Sequence, residues 1–208
     1  MTVGNVSRET LDRRIAAFVD TFGLWSGRTN LVSSSERQNL PTRHVADSLQ
    51  LIDHVESPAS WVDLGSGGGF PGLIVAAALP ASTVTLVESN AKKAGFLRAA
   101  ALAMEIDVRV RCERIERVVP ALDAPDVVSA RALASLSNLL DMAAPWLARG
   151  SIGLFPKGRN AEEEIEAARG CHDFDVDVLP SRTATDAYVL RVTAYRPLSA
   201  AFVGSVGS

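Results

Sequence analysis

The chain has 208 residues, 47% hydrophobic and 22% charged, with a net charge of −3. That length suits one domain burying roughly 70% of the surface its unfolded form exposes, so no disulfide or metal staple is required. No apolar run approaches the roughly 20 residues that span a bilayer, and the N-terminal MTVGNVSRETLDRR lacks the apolar core of a signal peptide, so a cytoplasmic protein away from membranes is expected.

Segment 7–24 opens on Ser7, with Thr10 and Asp12 in the first turns, in the manner of a capped helix. Leu11, Ile15, Phe18, Val19 and Phe22 recur at helical spacing, which predicts one buried face. A second helix is predicted over 40–54, with Val45, Leu49 and Ile52 on one side. Residues 1–58 therefore read as an N-terminal helical extension of a main domain covering 59–200.

From residue 60 the pattern becomes strand, turn, helix, repeated. Strands are predicted at 61–64, 83–88, 108–112, 126–130 and 151–156, and helices from the glycine-rich turn to Leu79, then over 90–104 and 133–147. A charged helix, NAEEEIEAAR, precedes two strand-like runs, DVDVL and YVLRVTAY, and 201–208 reads as a flexible tail. Strands alternating with helices of this length predict an α/β fold, a mostly parallel twisted sheet flanked by helices.

Cys112 and Cys171 match no zinc or redox spacing and are expected to be reduced, structural thiols; no metal site is predicted. Net negative charge sits awkwardly with a nucleic-acid partner, because phosphate contacts need Lys and Arg. The 21 basic residues are nevertheless clustered: Arg8, Arg13 and Arg14; Arg37, Arg43 and His44; Lys92, Lys93 and Arg98; and Arg109, Arg111, Arg114 and Arg117. Any one cluster reads equally as a solvated helix face.

The strongest local signal is the run Asp63-Leu64-Gly65-Ser66-Gly67-Gly68-Gly69-Phe70-Pro71-Gly72, placed after a strand and before a helix. Glycines there allow a tight turn and close approach to a ligand, as in nucleotide-binding α/β units. Pro71 suits the first turn of the helix. Asp63, two residues before the first glycine, would repel a pyrophosphate but suits a ligand carrying an ammonium and a sulfonium, which points to S-adenosyl-L-methionine. Glu88, ending the second strand, is placed for the ribose hydroxyls. A nicotinamide-dependent oxidoreductase or a non-catalytic nucleotide-binding module is the alternative from another class, and Asp63 speaks against it.

The run VDLGSGGGFPGL, E-S-x-x-K-K-x-x-FLR at 88–98, D-V-V-x-x-RALASL at 126–136 and PKG at 156–158 resemble the RsmG (GidB) family. That family consists of bacterial 16S ribosomal RNA 7-methylguanosine methyltransferases. Upstream, Trp25 with Asn30-Leu31 and Arg43-His44-x-x-Asp47-Ser48-Leu49 agree, so the resemblance spans about 10–170. Ser26 and Phe155-Pro156 depart from the family pattern, and little of it extends past 170.

The resemblance implies a Rossmann-like class I methyltransferase that transfers a methyl group from S-adenosyl-L-methionine to N7 of a guanosine in 16S rRNA, within the 30S subunit. It places cofactor contacts on Gly65, Phe70, the Ile115-Glu116 pair and Arg131, to which the glycine loop and strand pattern add Gly67 and Glu88. Arg43, His44 and Lys157 are candidate substrate contacts. Guanine N7 has an in-plane lone pair and no proton, so no catalytic general base is expected. A monomer is expected. The alternative within the class is a methyltransferase for another RNA, a protein or a small molecule.

Overall fold

The computed structural model describes residues 2–3, 6–27, 29–31 and 43–197. The predicted tail and residues 40–42 of the second predicted helix lie outside them. A short antiparallel pair, β1 (Thr2–Val3) with β2 (Val6–Ser7), leads into helix α1 (Arg8–Ser26). The Ser7 hydroxyl caps α1 by accepting from the Thr10 amide at 3.2 Å. Leu11, Phe18 and Phe22 form its buried face, in keeping with the predicted periodicity.

Helix α2 (Val45–Leu49) continues into a tighter 3-10 turn over Gln50–His54. Strand β3 (Ser60–Leu64) follows, then α3 (Gly72–Ala78), β4 (Thr83–Val87), α4 (Ala91–Ala103), β5 (Arg109–Arg111) and the short α5 (Ile115–Val118). Next come β6 (Val127–Ala130), α6 (Leu136–Leu147), β7 (Ile152–Lys157) and α7 (Ala161–Arg169). The antiparallel strands β8 (Asp173–Pro180) and β9 (Tyr188–Arg196) close the described chain. Helix α6 starts at Leu136 rather than at 133, because the Ser135 hydroxyl caps it and the preceding residues form a loop that builds the site.

Among the described residues the sheet has seven strands in the order β5-β4-β3-β6-β7-β9-β8. The first five are parallel, while β9 runs antiparallel to β7 and to β8. Trp61, Val62, Asp63 and Leu64 of β3 are all buried, as are all four residues of β6. Unbroken burial is what a parallel sheet covered on both faces requires.

Every residue of α3 is buried, because α1 and α2 lie over it. The seam between α1 and the sheet domain is aromatic. Phe18 meets Phe70 edge-on at 5.1 Å, and Phe22 meets Phe96 at 5.6 Å and 90°. Such pairs contribute about 0.5–1.5 kcal/mol each beyond their buried area. Helix α1 is thereby fixed to the glycine loop that carries Phe70. The two cysteines are free but exposed, so the expectation of structural thiols is corrected: neither side chain belongs to the core. Among the described residues no helix is long and apolar enough to cross a membrane.

Candidate active site

Strand β3 lies between β4 and β6, so the chain's connections leave it in opposite directions along the sheet. In open α/β sheets the crevice beyond the carboxyl ends of two such strands is where ligands bind. The glycine loop (65–71) follows β3 there, and the loop 131–135 follows β6.

Asp63 corrects the electrostatic reading of the sequence. Its carboxylate is fully buried and faces inward, accepting from the Ser129 hydroxyl at 2.8 Å and the Gly72 amide at 3.3 Å. It does not line the crevice; it fastens β3 to β6 and to the start of α3. Burial pushes its carboxyl up to about 6, against the opposing pull of hydrogen bonds from Ser66, Ser129 and Gly72 and of the Arg131 charge. Gly72 is required at this junction, since a Cβ there would sit 2.3 Å from Leu86 Cδ2 and 2.8 Å from the Asp63 carboxylate. Pro71 stands one residue earlier than expected, at the cap position of α3.

Glu88 shapes the loop from the other side. One carboxylate oxygen accepts from the Gly67 amide at 3.0 Å and the other from the Asn90 amide at 2.7 Å. Each oxygen keeps a further lone pair for a ligand hydroxyl. A cavity of about 450 Å³ opens between the glycine loop and α5, with Gly65, Gly67, Glu88, Ile115, Glu116 and Leu133 in its walls. This volume lies within the range of small-molecule sites, roughly 300–1,000 Å³. Gly65 has φ 67°, and a Cβ on it would meet Leu133 Cδ1 at 2.7 Å. The loop after β6 therefore folds down onto the glycine loop.

A second cavity of about 360 Å³ lies on the far side of that loop. Ala132 and Ala134 line both cavities, so one short segment separates them. Ala132 adopts φ 50°, a left-handed conformation that costs a residue with a side chain about 1–3 kcal/mol. A network fixes the segment in place. Lys157 donates to the Ala134 carbonyl at 2.8 Å and to Glu164 Oε2 at 2.7 Å, and the same oxygen accepts from the Leu136 amide at 2.6 Å.

Of the predicted cofactor residues, Gly65, Gly67, Glu88, Ile115 and Glu116 share the first cavity. Phe70 and Arg131 are not in its walls. The Arg131 guanidinium lies 5.8 Å from the Phe70 ring centre, contacts His44 Nδ1 and comes within 3.7 Å of Asp47. Of the predicted substrate residues, Arg43 and Lys157 line the second cavity with Arg131. His44 is buried, its ring 5.4 Å from that of Phe70. Two of the three Lys157 donors are taken inside the protein.

Sequence reasoning missed Gln50, Glu164, Thr183 and Tyr188. Thr183 donates to Asp47, while Gln50 accepts from the Arg182 amide at 3.0 Å. These bonds seal α2 to the turn between β8 and β9. Only the spacing of Asp47 from Arg43-His44 gave any signal of them.

Sheet order, glycine loop and the acid just after β4 together define a class I methyltransferase fold. The same fold is seen in an O-methyltransferase from Bacillus cereus in complex with SAH, at 13% identity and a TM-score of 0.59, covering 91% of this chain and 92% of that one. The chain belongs to the GidB family, rRNA small subunit methyltransferase G, whose model matches residues 12–181. It is 45% identical to the ribosomal RNA small subunit methyltransferase G of Hyphomonas neptunium over 91% of this chain and 90% of that protein. Identity to the same-named protein of a Methylobacterium species is 46%, covering 91% of each.

Proposed function

We propose that this protein transfers a methyl group from S-adenosyl-L-methionine to N7 of a guanosine in 16S rRNA of the 30S subunit, acting as a cytoplasmic monomer. Family membership supports ribosomal RNA as the substrate class. The observation that carries the rest is the pair of cavities at the strand-order reversal, separated only by residues 132–134. Residues 59–200 form the catalytic domain in this reading, and 1–58 the extension that helps shape the substrate side.

The residues of the first cavity fit the donor. Gly65 and Gly67 leave room beside the backbone, Glu88 offers lone pairs to ribose hydroxyls, and Ile115, Leu133 and Met142 supply apolar walls for an adenine. When bound, the donor supplies a methyl carbon made electrophilic by an adjacent sulfonium. The protein's part is alignment, an effect that reaches roughly 7–11 kcal/mol in favourable cases. Arg131 and His44 pack against the Phe70 ring beside Asp47, and in this reading the set fixes the approach of the base. Arg43 serves the RNA backbone, and Lys157 acts mainly by bracing the 132–134 segment.

The test is direct. The protein is incubated with methyl-labelled S-adenosyl-L-methionine and 30S subunits from a strain lacking the activity, and nucleosides of the 16S RNA are separated. Label in 7-methylguanosine supports the proposal. Label in another nucleoside, in protein, or nowhere in 16S RNA at any assembly state refutes it.

A further inference from the structure

The second cavity has the composition of a base pocket. Leu139 and Pro156 give it apolar walls, Tyr188 an aromatic face, and Asp47 and Glu164 its only carboxylates among the described residues. Enzymes that act on a base read its Watson–Crick edge by hydrogen bonds while stacking its face. A guanine whose N7 is directed at a methyl donor turns its opposite edge, the N1–H and the N2 amine, toward the far wall. Those groups are donors and call for a fixed acceptor.

The two carboxylates differ in what they have left to offer. Asp47 has one oxygen bonded to the Thr183 hydroxyl and the other facing the Arg131 guanidinium. Glu164 concentrates its internal partners on Oε2, which accepts from Lys157 Nζ and the Leu136 amide, and Oε1 has no hydrogen-bond partner among the described residues. Its side chain is 28% exposed and lines the cavity. Two donors at 2.7 and 2.6 Å fix the carboxylate before any ligand arrives. Pre-fixed acceptors of this kind select strongly against analogues that lack the matching donor.

We infer that Glu164 is the guanine-reading residue: its Oε1 accepts from the N1–H and N2 amine of the target base. This rests on the function proposed above and adds how the base is chosen. The bond survives methylation, since N7 and the Watson–Crick edge lie on opposite sides of the purine. The positive charge of the product base strengthens the pairing with a carboxylate.

The experiment uses 30S particles reconstituted with semi-synthetic 16S RNA bearing guanosine or inosine at the target position. Inosine keeps N7 and lacks only the N2 amine. Single-turnover rates are normalised to the reactivity of each N7 toward dimethyl sulfate. The wild-type enzyme is expected to act on inosine on the order of tenfold to a hundredfold more slowly. In Glu164→Gln, Lys157 and the Leu136 amide draw the amide oxygen to themselves and leave an NH2 facing the base. Guanosine then loses its advantage, and the ratio of the two rates falls to near one.

Adenosylhomocysteine affinity, measured by calorimetry, should stay near the wild-type value, because Glu164 does not line the first cavity and Gln keeps an oxygen for Lys157 and the Leu136 amide. A wild-type enzyme that treats inosine and guanosine alike overturns the inference, whether or not the variant folds. So does a variant that keeps the wild-type ratio. If the wild type methylates neither base at N7, it is the underlying functional reading that fails.

Discussion

Replacing Asp63 by Asn should change how stability responds to pH. The Asp63 carboxyl rises from an ordinary 3.8 to about 6 because burial disfavours its charge. At about 1.4 kcal/mol per pH unit, that difference is worth roughly 3 kcal/mol. The sign follows from proton counting. Between these two values the folded state binds more protons than the unfolded state, so stability falls as pH rises. The contribution is fully present below 3.8 and lost above about 6, with roughly half of the change falling between pH 5 and 7.5. Asn cannot ionise, but its carbonyl can still accept from Ser129. Urea denaturation of both proteins at pH 5 and pH 7.5 isolates the group. The variant should gain about 1–2 kcal/mol on the wild type over that interval. A stability difference that does not vary with pH would refute the buried, inward placement of this carboxylate.

Three further outcomes follow from the packing and the site. Phe18→Ala removes a fully buried ring touching Phe22, Phe70 and Phe96, and should cost about 3–5 kcal/mol in urea denaturation. Glu88→Ala deprives the Gly67 and Asn90 amides of their acceptor, each worth about 1–3 kcal/mol. Its adenosylhomocysteine affinity should fall about fivefold or more by calorimetry, by at least the lower of those values. Arg131→Lys keeps the charge but loses the planar group against Phe70 and the reach to both His44 and Asp47. Its kcat/KM should drop roughly tenfold to a hundredfold, in line with a lost charge-assisted hydrogen bond, with donor affinity little changed.

The parallel half of the sheet and its glycine loop were legible because their determinants are local. Unbroken apolar strands, a helix at every return and four glycines in one turn all lie within short windows. Glu88 was legible because it ends a strand beside that turn. What escaped was decided between distant segments. Asp63 was read as facing ligand, yet whether a strand-end acid faces in or out depends on Ser129, 66 residues later. Glu164 looked like one of three consecutive acids on a solvated helix, and only the approach of Lys157 and Leu136 distinguishes it. Leu133 has helix-favouring neighbours but serves as the lid over Gly65. No period in the sequence tells β9 to pair between β7 and β8.

That last pairing governs how the protein comes into being. Strand β9, the last among the described residues, is a wedge inserted between two strands already made, and the turn before it clasps α2 from the opposite end of the chain. A nascent polypeptide therefore cannot complete the second cavity until Ser181, Ala187 and Tyr188 have left the ribosome. Loss of a short C-terminal piece reaching into β9 would not trim the enzyme. It would remove a wall of the second cavity together with Val189, Leu190 and Val192 of the buried core.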